Sequence, residues 1–143
     1  MHPKAWDIEE LILAKALSKY LLAPPTMRYM LIIHNDAETH PKPGGPGWDQ
    51  LMAGYVAFSE ELSRLGRPFT GDPLASPDAA TTVRVREGRR VLSDGPFAET
   101  KEWLSGYFVI ECGDLDEAVD LAGKIPSAAF GSVEVRPIQE LDS

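Results

Sequence analysis

The sequence predicts an α+β domain in which helices cover one face of a mainly antiparallel sheet. Three observations carry this: short apolar runs rich in β-branched residues, two longer stretches with helical apolar spacing, and Gly/Pro punctuation between them. Their order is strand, helix, hairpin, strand, helix, strand.

The first strand is expected over Arg28-Tyr29-Met30-Leu31-Ile32-Ile33-His34, a mostly apolar run that ends in the polar pair Asn35-Asp36. HPKPGGPG, residues 40–47, mixes prolines that fix the backbone with glycines that free it, so it reads as a loop. From Asp49 to Leu65, Leu51, Met52, Tyr55, Val56, Phe58, Leu62 and Leu65 recur at helical spacing, with Gly66 as the stop.

TTVRVREGRRVL, residues 81–92, alternates valine with arginine around Glu87-Gly88 and predicts a tight hairpin with Val83 and Val85 facing the core. Gly106 to Cys112 supplies a central strand of aromatic and β-branched residues. Asp114 then stands as an N-cap three residues before Glu117, and the helix it opens runs to Ile125-Pro126. Ser132 to Arg136 is the last strand. Within α+β this order is the ferredoxin-like arrangement. Its second sheet face needs a cover that a chain of this size does not supply, which predicts a face-to-face homodimer.

Ahead of this body, residues 1–26 read as an amphipathic helix, over residues 5–22, followed by the Pro-rich break Ala23-Pro24-Pro25-Thr26. A short helix of this kind holds its shape by docking on its own body or on a partner subunit. The alternative is that Met27 is the natural start and the tail an upstream extension of the reading frame. The domain proper is expected over residues 27–143.

Bulk properties narrow the function. A chain of 143 residues fits one domain, and 43% hydrophobic with 25% charged residues is a globular composition. A net charge of −8 disfavours nucleic-acid phosphate and anionic lipid, and no apolar run reaches the roughly 18 residues that span a bilayer. The tail holds three basic and three acidic residues, so the negative charge belongs to the body. One cysteine, Cys112, allows neither an internal disulfide nor a C-x-x-C pair. The first residues carry acids where a secretory leader would be basic, so the expected location is cytoplasmic. Neither a phosphate loop nor H-E-x-x-H nor G-x-S-x-G occurs, and neither a cofactor nor a metal is expected.

The candidate chemistry centres on SDGPFAETKE, residues 93–102. Asp94 before glycine is either a turn-former that accepts a local backbone hydrogen bond, or a carboxylate whose pKa rises by desolvation beside Phe97 or Trp103 and which exchanges a proton with substrate. Glu99 and Lys101 either form a polar rim beside it or are charges of a solvated turn that point away from the core. Trp48 and Tyr55, one helical face apart, are placed to line an apolar pocket with Tyr29 and Phe108, or else to pack in the core or a dimer contact. Arg84, Arg86, Arg89 and Arg90 put four positive charges on the hairpin, for an anionic ligand, an acidic partner or a protected sheet edge.

MRYMLIIHNDAE, TTVRVREGRRVLSDGPFAETKE, GYFVIECGDLDEAVDLAGKIP and GSVEVRPI together resemble the DGPF branch of the YCII-related family over nearly all of residues 27–138. The resemblance implies a dimeric α/β barrel of ferredoxin-like subunits, a cleft near the DGPF turn and frequent association with extracytoplasmic-function sigma factors. It also implies that Asp94 pairs with a histidine near the start of the first helix; that stretch here is Gly47-Trp48-Asp49-Gln50 and holds none. His34 and His40 are the substitutes within the body, and His34 is taken as the catalytic partner of Asp94. The expected function is a homodimer that binds a small organic molecule beside Asp94 and performs cofactor-independent acid/base chemistry. The alternative is a non-enzymatic regulatory or interaction module linked to a sigma factor.

Overall fold

A computed structural model describes residues 7–10 and 26–141 of the chain. Four strands form the main sheet: β1 (Met27–Asp36), β2 (Phe69–Pro73), β5 (Glu102–Cys112) and β6 (Gly131–Pro137). They run in the order β2-β5-β1-β6, with every neighbouring pair antiparallel. Helix α1 (Trp48–Arg64) joins β1 to β2, and α2 (Leu115–Gly123) joins β5 to β6. This is the ferredoxin-like topology expected from the sequence. Strands β3 (Thr81–Arg86) and β4 (Arg89–Asp94) form a separate two-stranded sheet inserted between β2 and β5.

Alternation along the central strands decides where the core lies. Tyr29, Leu31, Ile33 and Asn35 of β1 are buried on the helix side, together with Ile110 and Cys112 of β5. Phe58 and Leu62 of α1, Ala118 and Leu121 of α2, and Ile125 close over them, with Val133 and Val135 of β6 packed alongside. The opposite set of β1, from Met30 through Ile32 and His34 to Asp36, is half-buried. Asp114 caps α2 by accepting a hydrogen bond from the Glu117 N–H at 2.9 Å. Arg67 Nη2 donates to Glu117 Oε2 at 2.8 Å, and this ion pair ties the segment after α1 to α2.

The structure corrects the sequence reading at three places. Val83 and Val85 do not face the core: they are 55% and 62% exposed, because β3 and β4 pair only with each other and no described element covers them. The hairpin turn itself is as expected, with Glu87 at φ 54° and Gly88 at φ 74°. The second strand of the sheet is instead FTGDP, residues 69–73, whose Gly and Pro suit an edge and hid it from a propensity reading. On α1, Met52, Val56 and Leu65 are exposed, since a helix lying on a sheet buries only one stripe.

Of the N-terminal segment, residues 8–10 are helical and the Glu10 N–H donates to Asp7 Oδ1 at 2.7 Å. The remainder of the expected helix and its Pro-rich break lie outside the described residues.

Candidate functional site

A cavity of about 790 Å³ opens between the sheet and the first turns of α1. Its walls come from the ends of β1 and β5, the edge strand β2 and the loop of residues 37–47. Six aromatic side chains line it: Trp48, Tyr55, Phe69, Trp103, Tyr107 and Phe108. Phe108 anchors the group, edge-on to Phe58 with ring centres 5.0 Å apart and stacked on Tyr55 at 6.4 Å.

A bulge shapes this end of the sheet. Ile33 pairs with Gly106 while His34 pairs with Leu104, so Ser105 is the extra residue. The Ser105 hydroxyl donates to the Ile33 carbonyl at 3.2 Å, and Asn35 pairs with Trp103 beyond the bulge. Parity along β1 thereby turns Asn35 and its partner Trp103 towards the helix side and the cavity.

The polar groups are few and concentrated. Asn35 is only 7% exposed, and its Oδ1 has no hydrogen-bond partner among the described residues. A buried acceptor left unpaired is costly, which makes this position the natural seat for a ligand donor. Tyr55 Oη lies 2.6 Å from Ser127 Oγ, and Ser127 Oγ lies 3.4 Å from His40 Nε2. Ser127 is fully buried in the 3-10 turn Pro126–Ala129. It reaches Tyr55 because Gly54 has no side chain; a Cβ there would meet Pro126 Cγ at 2.7 Å. Burial lifts the Tyr55 phenol above its ordinary value of 10.0, and its hydrogen bond with Ser127 pulls it partly back. His40 is held by its own N–H on the Asp36 carbonyl at 3.0 Å, by the neighbouring Thr39 hydroxyl on the Phe130 carbonyl at 2.7 Å, and edge-on against the Phe130 ring. At the opposite wall Tyr107 donates to Asp72 at 2.9 Å.

Of the residues singled out from sequence, Trp48, Tyr55 and Phe108 meet in this cavity. Tyr29 is buried in the core instead, with its hydroxyl 3.8 Å from the Met27 sulfur. Asp94, Phe97 and Glu99 lie outside the cavity lining on the exposed hairpin segment. Phe97 is 82% exposed, and the Asp94 carboxylate makes no hydrogen bond among the described residues. The turn is closed by backbone, with the Gly95 N–H on the Ala80 carbonyl at 2.8 Å and the Thr82 hydroxyl on the Gly95 carbonyl at 2.9 Å. His34 sits on the opposite sheet face, its Nε2 4.0 Å from Glu134.

Asn35 and Ser127 carry the polar end of the cavity and were not singled out. Parity along β1 signals Asn35, because it shares the face of Leu31 and Ile33. For Ser127 the sequence holds no signal, since its burial depends on the approach of the 3-10 turn to α1. Among the described residues no His, Cys, Asp and Glu cluster is spaced to hold a metal ion. Among them, too, no helix is long and apolar enough to cross a membrane.

Residues 27–142 match the YCII-related domain. An uncharacterized protein of Rhizobium meliloti (strain 1021) is 34% identical over 114 residues, covering 78% of this chain and 92% of that protein.

Proposed function

The chain belongs to the YCII-related domain family, and from that premise we propose that it binds a small organic molecule in the cavity between α1 and the sheet. The observation that carries this reading is the buried Asn35 Oδ1, unpartnered among the described residues, in the wall of a cavity that six aromatic side chains line. Ligand pockets characteristically combine apolar walls with a few convergent polar groups, and a volume of about 790 Å³ suits a molecule of drug-like size. Of the polar side chains in its wall, this reading assigns Asn35, His40, Tyr55 and Ser127 to the ligand, in the place that sequence reading gave to Asp94 and His34. We further propose that the protein works as a homodimer, whose second copy covers the open sheet face.

Native mass spectrometry of protein purified from its own cells tests both statements in one spectrum. The expected result is a dimer carrying a defined added mass, lost on Asn35→Leu. A monomer would remove the dimer. A ligand-free protein whose melting temperature no small-molecule library raises would remove the binding reading.

A second reading, an interaction module for a regulatory partner, is supported by the exposed apolar residues Val83, Val85, Leu92 and Phe97 on the hairpin segment. Affinity capture with the wild-type chain and with Val85→Glu separates the two. A partner lost with the substitution supports the module; identical partner sets speak against it.

A further inference from the structure

The Tyr55, Ser127 and His40 chain says what the bound molecule presents to the cavity wall, an inference that rests on the small-molecule reading above. A serine hydroxyl has one proton and can donate in one direction only. When His40 Nε2 is bare, the hydrogen bonds run from Tyr55 to Ser127 to His40, and Tyr55 turns only lone pairs towards the cavity. When both imidazole nitrogens are protonated, Nε2–H donates to Ser127, Ser127 donates to Tyr55, and the phenolic O–H is released for another acceptor. The distances of 2.6 Å and 3.4 Å link all three groups, and all three line the cavity.

We propose that the cavity takes a flat molecule with an acceptor oxygen at one end, a carboxylate or conjugated carbonyl, and a donor group that meets Asn35 Oδ1, and that Tyr55 O–H, released by His40 through Ser127, is the donor to that oxygen. A phenol of ordinary value 10.0 is already protonated at neutral pH, and burial shifts Tyr55 further in that direction. Lys42, in the cavity wall, makes no ion pair among the described residues and adds positive charge on the same side. The aromatic walls supply stacking for a planar body.

The surroundings leave His40 free to act in this way. The 3-10 turn against it contributes Ser127 and the Phe130 ring, neither of them charged. On its own loop stand Asp36, Glu38 and Lys42. The Asp36 carboxylate accepts from the Glu38 N–H at 2.9 Å and pairs with Lys101 at 3.7 Å. Across the cavity Asp72 is taken by Tyr107. His40 makes no ion pair among the described residues.

Calorimetric titration with three probes tests the assignment: 2-naphthoate, the neutral acceptor 2-acetonaphthone and the donor-only cation 2-naphthylmethylamine. Each is measured at pH 8 and at pH 5.5. Both acceptors are expected to bind more tightly at pH 5.5, the naphthoate by about tenfold, the size of one charge-assisted hydrogen bond. The ketone isolates the hydroxyl chain, because it carries no charge to be attracted by His40 directly. In Ser127→Ala its pH response should vanish. Tyr55→Phe, which keeps the ring packing, should remove it too and guards against a folding defect in the serine variant. The amine, which can meet Asn35 Oδ1 and offers Tyr55 no acceptor, should not bind more tightly at pH 5.5; tightening of the amine, or a ketone response that survives in both variants, overturns the proposal. If the acceptors bind wild-type protein equally at both pH values, the chain assignment falls while the cavity reading stands. If none of the probes binds, the ligand class proposed here falls, and the cavity reading is decided by the spectrum and library screen above.

Discussion

The central strand β1 and the hairpin strand β3 each line up apolar residues on one face and meet opposite fates. Tyr29, Leu31 and Ile33 alternate along β1 and are buried under two helices. Val83 and Val85 alternate along β3 and stand more than half exposed. Alternation states which residues share a face; it does not state whether anything covers that face. Cover comes from the connections. β1 leads into a helix that folds back onto the sheet, whereas β3 leads into a tight turn and returns to itself. A lone two-stranded ribbon is marginal in water, so the hairpin is the part of the chain that depends most on what it meets.

The sharpest way to break the comparison is to truncate equivalent positions. Leu31→Ala empties a fully buried site and should cost about 2–5 kcal/mol in urea denaturation. Val85→Ala should cost under about 0.5 kcal/mol, as surface changes do. A cost for Val85→Ala approaching that of Leu31→Ala, and dependent on protein concentration, would show that a second copy covers the hairpin.

Gly54→Ala sharpens the body's side of the comparison. The new methyl gains about 1 kcal/mol of helix propensity but meets the Pro126 ring at 2.7 Å, and such overpacking costs about 1–3 kcal/mol. A small net loss of stability is expected, together with separation of Ser127 from Tyr55. The pH response of 2-acetonaphthone binding should disappear with it, while a preserved response would mean that the turn accommodates the methyl without moving Ser127.

Cys112 gives a pH-dependent contrast. It is fully buried, and its thiol is pushed up to about 11 by desolvation first and then by the nearby Glu117 charge. The folded state thus holds its proton where the unfolded chain, near 9.0, has lost it. Its contribution to stability is complete below pH 9 and is lost as the pH rises towards 11. The difference in urea midpoint between wild type and Cys112→Val should shrink the wild-type advantage across that window. A constant difference from pH 8 to 11 would remove the burial argument. At neutral pH the native thiol should resist alkylation.

These contrasts also explain what the sequence makes readable. The helices are legible because Leu51, Tyr55, Phe58 and Leu62, and the Asp114 cap with Glu117, are local patterns. The hairpin turn is legible for the same reason, through Glu87-Gly88. The strand β2 is not, because Phe69-Thr70-Gly71-Asp72-Pro73 has poor strand propensity and forms where β5 offers an unpaired edge. The site divides likewise. Trp48, Tyr55 and Phe108 follow from periodicity, and Asn35 is implied by parity, but Ser127 becomes a site residue only through a tertiary approach across Gly54. Asp94 shows the converse: a motif easy to recognise whose place relative to the cavity depends on where the hairpin goes.

Asp94→Asn is therefore the smallest expected effect and the most discriminating. The carboxylate is exposed, has no hydrogen-bond partner among the described residues and lies outside the cavity lining, so stability should change by less than about 0.5 kcal/mol. Affinity for 2-naphthoate should also be unchanged if the cavity of a single chain is the whole site. Were affinity to change while stability did not, Asp94 would have to reach a ligand from another copy, since its own hairpin stands clear of its own cavity. That outcome would make the exposed valines of β3 an arm laid across a partner, and would join the two regions that a single chain keeps apart.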